Sequence, residues 1–143
     1  MDPTSHQLGG RDRTPPGRHV LMLPVAESSV PCARRAVRGW AESAGMSPAG
    51  LDDLALAVTE ACANVVLHAY RPQPVPAGAK FLVRAGLRGN RYHVVVLDDG
   101  RGPAYQPGSP GIGCGLGLIA KLTLAFELTD ASGTELHMVF PLL

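Results

Sequence analysis

Glu60, Asn64 and His68 recur at steps of four within LAVTEACANVVLHAY, a stretch otherwise almost wholly apolar. At about 100° per residue a helix places Glu60 and Asn64 one turn apart on one side. They lie roughly opposite Val58, Cys62 and Val65, with Leu56, Ala63 and Leu67 beside them. A carboxylate desolvated by such neighbours needs a cation or a hydrogen-bond donor. Two readings follow from the helix alone: a Glu paired with a buried Arg beside an Asn that caps a loop, or a polar set that lines a ligand site.

Two further stretches carry chemistry. VVVLDDGRG is an apolar strand that delivers Asp98 at its end, where Gly100 and Gly102 let the backbone turn tightly. A carboxylate there can accept from an exocyclic amine such as that of adenine, or can serve a plain Asp-Gly turn. In GIGCGLGLIAKL, Gly111, Gly113, Gly115 and Gly117 alternate directly before a helix. Amides at a glycine-rich helix start bind anions, phosphates above all; a simple loop leading into an amphipathic helix is the other reading. GLGLIA also fits G-x-G-x-x-A, but that fingerprint must follow a strand directly, and here a Pro-Gly loop precedes it.

The elements that position these residues are legible. HVLMLPV (19–25) is a strand ended by Pro24, and Pro31 to Ala44 a helix with Ala33, Val37, Trp40 and Ala41 on one face. Arg34, Arg35 and Arg38 share its other face, as a solvated surface or a contact for a partner or phosphate. Ser47-Pro48 caps a second helix that runs to about Tyr70, with a core stripe of Leu51, Leu54, Val58, Cys62, Val65 and Ala69. RPQPVPAG (71–78) breaks the chain. Strands at 80–88 and 91–98 form a hairpin about Gly89-Asn90, and 98–115 reads as a loop. A helix at 116–126 and strands near 126–130 and 134–142, joined at Ser132-Gly133, complete the pattern. This predicts an α+β two-layer sandwich: a mixed, mostly antiparallel sheet with helices on one face. Residues 1–18 are polar, rich in glycine and proline, and read as a flexible tail before a single domain at 19–143.

Composition limits the function classes. A hydrophobic share of 45% over 143 residues fits one globular domain. A formal charge of +1 gives no electrostatic case for nucleic acid or a membrane surface. No apolar run approaches the ~20 residues of a membrane span, and the N-terminus lacks the apolar core of a secretory signal. Cys32, Cys62 and Cys114 form no C-x-x-C pair. That argues against a disulfide framework or zinc site and for a reducing cytoplasm.

E-x-x-x-N on a helix, D-x-G-x-G after a strand and G-x-G-x-G-L at a helix start, in that order, resemble the GHKL ATPase superfamily. The form TEACANVVLHAY, the short chain and the closing GTELHMVFPL are most similar to the anti-sigma factor serine kinases. The resemblance covers about residues 18 to 143. It implies a Bergerat-type ATP-binding fold, bound Mg-ATP, and transfer of phosphate to a serine or threonine of a STAS-type anti-sigma antagonist. It also implies sequestration of a sigma factor, and members of that family are often homodimers. By the same resemblance, Glu60 matches the catalytic base, Asn64 the Mg²⁺ ligand and Asp98 the adenine-reading carboxylate. Gly100 and Gly102 match the turn under the base, and Gly113, Gly115, Leu116 and Gly117 the box at the phosphates. Thr134 matches a strand threonine that supports the carboxylate by a hydroxyl or water. His68 is a structural or phosphate-side histidine, Arg101 a surface, phosphate or partner residue, and Cys114 a cysteine near the nucleotide. The loop between the glycine boxes is shorter than the long lids of the gyrase and chaperone branches. An alternative function is a nucleotide-gated binding module that acts by partner exchange without turnover. A third is a detached sensor-kinase domain acting on a histidine of a separate protein.

Overall fold

The computed structural model describes residues 19–70, 74–100, 112–129 and 133–143. The proposed tail at 1–18 lies outside them, as do Arg101 and Gly102. The element order is β1 (His19–Pro24), α1 (Ser29–Ser43), α2 (Pro48–His68), β2 (Lys80–Arg88), β3 (Arg91–Asp98), α3 (Ile112–Leu122), β4 (Ala125–Thr129) and β5 (Thr134–Pro141). The five strands form one sheet in the order β1-β2-β3-β5-β4, and all four neighbouring pairs are antiparallel. The expected α+β sandwich is therefore present. Both hairpins read from the sequence, β2–β3 and β4–β5, are in it.

Side-chain alternation decides which residues meet the helices. Tyr92, Val94 and Val96 of β3 join Phe81, Val83 and Ala85 of β2 and Leu136, Met138 and Phe140 of β5 in the core cluster. By that period Asp98 belongs to the same helix-facing row, paired with Phe81 on one side and Thr134 on the other. The entire predicted stripe of α2, Leu51 to Ala69, is buried in this core. Ser47 caps the helix by accepting from the Gly50 N–H at 3.1 Å, with Pro48 in the first turn. On α1, Ala33, Val37 and Ala41 are buried, and Trp40 stacks on His19 at 4.7 Å between ring centroids.

The α1 arginines bond within the protein. Arg38 pairs with Asp52 at 3.0 Å, Arg34 donates to the Thr59 hydroxyl at 3.4 Å, and Arg35 donates to the Pro31 carbonyl at 3.3 Å. The Arg38 pair is exposed and contributes little. Cys62 is core packing, its thiol pushed up to about 12 by burial and therefore unreactive. On the sheet face away from the helices, His93 and His137 are buried beside each other with Nδ1 and Nε2 2.8 Å apart. The apolar pattern of β3 gave no sign of that pair.

One departure bears on the site. The sequence reading starts the third helix at Leu116, whereas α3 begins at Ile112 and ends at Leu122. Gly113, Gly115 and Gly117 therefore lie inside the helix. Glycine is disfavoured there by about 1 kcal/mol each against alanine, so local preference points to a loop and packing on α2 overrides it.

The two faces of α2 separate cleanly in a stability measurement. Leu54 is 0% exposed and Leu56 44%. Leu54→Ala should cost about 2–5 kcal/mol in urea unfolding, and Leu56→Ala no more than about 0.5 kcal/mol. Equal losses would contradict the orientation of α2.

Candidate functional site

The helix-facing end of β3, the C-terminal half of α2 and the start of α3 enclose a cleft. Its walls are apolar: Ala61, Val65 and Ala69 from α2, Val96 from β3, Leu116 from α3, and Leu128 and Leu136 from β4 and β5. Four polar residues also line it: Asn64, His68, Asp98 and Thr134. An apolar slot with few convergent polar groups is the form of a small-molecule site.

Asp98 is strongly perturbed in this cleft. Burial raises the carboxyl from 3.8 to about 6, with a smaller push from the charge of Asp99. Backbone N–H groups of Gly100 and Thr134 donate to the carboxylate and pull the other way, the Gly100 bond being 2.9 Å. A half-buried carboxylate held by main-chain donors is oriented before any ligand arrives. Thr134 thus supports Asp98, and the link seen is its backbone amide, where a hydroxyl or water was expected.

Close backbone approaches fix the surroundings. A Cβ on Gly100 would collide with the Ala69 carbonyl, so the segment after β3 lies directly on the last turn of α2. Gly133 has φ +105°, and a Cβ there would strike the Asp98 carbonyl. The β4–β5 turn therefore abuts the same strand end. On the other side of the slot, a Cβ on Gly115 would lie 3.2 Å from Asn64 Nδ2 and 3.5 Å from Glu60 Oε2. The start of α3 thus rests on the two polar head groups of α2.

Of the residues singled out in the sequence, Asn64, Asp98, Leu116 and Thr134 line one cleft. Glu60 stands one helical turn from Asn64, against the same face of Gly115. Gly100 supports Asp98 from below. Gly117 is exposed and has open space beside it. Gly113 is in α3, while Gly102, Arg101 and the side chain of Cys114 lie outside the described residues. His68, left open between two roles, lines the cleft. The sequence reading missed Gly133 as a contact of Asp98 and treated it as a turn residue only. It also missed the bond from the Tyr70 hydroxyl to Asp99 Oδ1 at 2.6 Å.

The donor set bears on an ion. Among the described residues no group of three or more His, Cys, Asp or Glu could hold a metal by itself. One amide oxygen, Asn64 Oδ1, at the polar end of the slot fits a cation that takes most of its ligands from phosphate and water, as Mg²⁺ does. It does not fit a protein-caged transition metal.

The raised Asp98 carboxyl has a thermodynamic consequence. The folded state holds this proton more tightly than the unfolded chain, so stability falls as pH rises from about 4 to about 6 and then levels, as far as this group is concerned. In Asp98→Asn that contribution vanishes. The variant should gain on the wild type across this window in urea unfolding, and a pH-independent difference would contradict the burial of Asp98.

Among the described residues no helix is long and apolar enough to cross a membrane. A family model described as the histidine kinase-like ATPase domain matches residues 23–140. The serine-protein kinase RsbW of Bacillus thuringiensis (strain Al Hakam) is 30% identical over 80 residues, which are 56% of this chain and 48% of that protein. RsbW of Bacillus licheniformis is 32% identical over 80 residues, with the same shares. The chain thus spans about half the length of these curated relatives. A crystal structure of the RsbU and RsbW domains of Rv1364c from Mycobacterium tuberculosis superposes with a TM-score of 0.65 at 22% identity, covering 87% of this chain and 33% of that one. That likeness is one of fold. With nearly the whole sheet and all three helices inside the matched span, the chain belongs to the histidine kinase-like ATPase domain family.

Proposed function

We propose that the protein binds Mg-ATP and is a protein serine/threonine kinase that acts as an anti-sigma regulatory factor. Its substrate would be a small STAS-type anti-sigma antagonist, its second partner a sigma factor, and its compartment the cytoplasm. The observation that carries this reading is the convergence of Asn64, Asp98, Leu116 and Thr134 on one apolar slot, with Glu60 a helical turn from Asn64. The serine-protein kinase name of the relatives supports the reaction class.

In this reading the purine lies between the apolar walls and donates its exocyclic amine to Asp98. Gly100 and Thr134 keep that carboxylate aimed through their N–H groups. Asn64 would hold Mg²⁺ through Oδ1, and the ion, when bound, neutralises phosphate charge and fixes the phosphates in position. The box of Gly113, Gly115, Leu116 and Gly117 stands at the phosphates: the first turn of α3, with Gly113, offers them its free main-chain N–H groups. Gly115 lets that turn close on Asn64 and Glu60, while Gly102 would serve with Gly100 beneath the base. Glu60 accepts the proton of the incoming hydroxyl as its oxygen bonds to the terminal phosphorus and ADP departs. Phosphoryl transfer of this kind depends on positioning and electrostatics, which a small domain can supply.

The test is intact mass spectrometry of partners captured by the full chain, before and after Mg-ATP. One small partner should gain a phosphoryl group stable to acid. Asn64→Ala should abolish the gain, and Glu60→Ala should slow it by about 10²–10⁴-fold while nucleotide still binds. Wild-type turnover in Glu60→Ala would remove the base role. Captured partners with no change of mass would favour a nucleotide-gated binding module, and an acid-labile product would indicate a phosphohistidine.

A further inference from the structure

The adenine contact proposed for Asp98 leaves open what holds the chain beyond it. Asp98 is the last residue of β3, so the ladder hydrogen bonds that fix the strand stop there. Its carboxylate nevertheless takes its orientation partly from the Gly100 N–H, two residues further on. The residue between them, Asp99, is exposed on its own account. Its carboxylate accepts the Tyr70 hydroxyl at 2.6 Å, a short bond to a charged acceptor. Tyr70 follows Ala69, the C-cap of α2, and its ring packs partly buried against the core. The packed ring therefore places the hydroxyl, and burial together with Asp99 raises its pKa so that it remains a donor.

The geometry points to Tyr70 and Asp99 as positioning residues for adenine recognition: their hydrogen bond pins the Asp99 backbone, which sets the Gly100 amide that aims Asp98 into the slot. The inference rests on the reading of Asp98 as the adenine contact and adds two residues to it. Gly100 lies on the Ala69 carbonyl with no room for a side chain, so the same segment is gripped by the two residues that follow α2, Ala69 by contact and Tyr70 by hydrogen bond. Contact alone prevents approach, whereas the directional bond to Asp99 also restricts rotation of the segment. Neither Tyr70 nor Asp99 lines the slot itself. Both line a second opening together with Gly100, so the route from them to adenine runs through the Gly100 amide and Asp98.

The experiment compares binding of ADP and inosine diphosphate, which carries a carbonyl in place of the exocyclic amine, to the full chain. Wild type, Tyr70→Phe, Asp99→Ala, the double variant and Asp98→Asn are measured, with thermal unfolding as a check on folding. Asp98→Asn should erase or invert the preference for ADP. Tyr70→Phe and Asp99→Ala should each reduce that preference by about 3–10-fold, the equivalent of one hydrogen bond. The double variant should lose no more than either single, because both remove the same bond. Equal weakening of both ligands, or no change, in Tyr70→Phe and Asp99→Ala would overturn the positioning role while leaving Asp98 in place. An unchanged preference in Asp98→Asn, or no ADP binding by the wild type, would overturn the adenine reading itself and the positioning role with it.

Discussion

The Asp98 carboxylate ends an apolar strand and faces the helices, where water no longer solvates it fully. A group in that position either binds a proton or finds donors. Here main-chain N–H groups from two segments meet it, one just beyond β3 and one at the start of β5. Both donors exist only if β3 lies beside β5 and the chain after β3 bends back at once. The sheet order and the glycine at position 100 are both conditions of holding this one charge.

The same economy of space governs the opposite end of the slot. α2 must bury Leu51 to Ala69 in the core while presenting Glu60 and Asn64 along a neighbouring line. Only a helix with apolar residues on most of its circumference does both, which is why its polar members are so few. α3 then has to approach those head groups closely, and Gly115 permits it. A side chain at position 115 would press on the Asn64 and Glu60 head groups and make them shift by a few tenths of an ångström at the least. The low helical preference of this turn is thus offset in part by the close packing made at Gly115.

Much of this was legible beforehand because period and punctuation agree. The stripe of α2, the Ser47-Pro48 cap and the hairpin at Gly89-Asn90 each rest on local chemistry, and each is where the sequence placed it. The three polar boxes could be read because their order along the chain is specific even though each alone is weak. What stayed hidden depends on contacts distant in sequence. Tyr70 looked like the end of a helix, and nothing local links it to Asp99, 29 residues on. Gly133 looked like an ordinary turn residue until its neighbour proved to be the Asp98 carbonyl. His93 and His137 meet only through the pairing of β3 with β5. The early start of α3 was misread for the opposite reason: local preference is strong there and is overruled by tertiary packing.

The position of β5 has a consequence for assembly in time. β5 follows β4 in the chain yet inserts between β3 and β4, leaving β4 at the edge. During synthesis α2 and β3 emerge well before Thr134, so the Asp98 carboxylate waits with one of its two backbone donors missing. β3 is also left with an open edge until β5 zips onto it, a non-local pairing of the kind that forms slowly. The slot around Asp98 is therefore complete only with the β4–β5 hairpin, and a nascent chain that pauses before it carries every helical residue of the candidate site without the site.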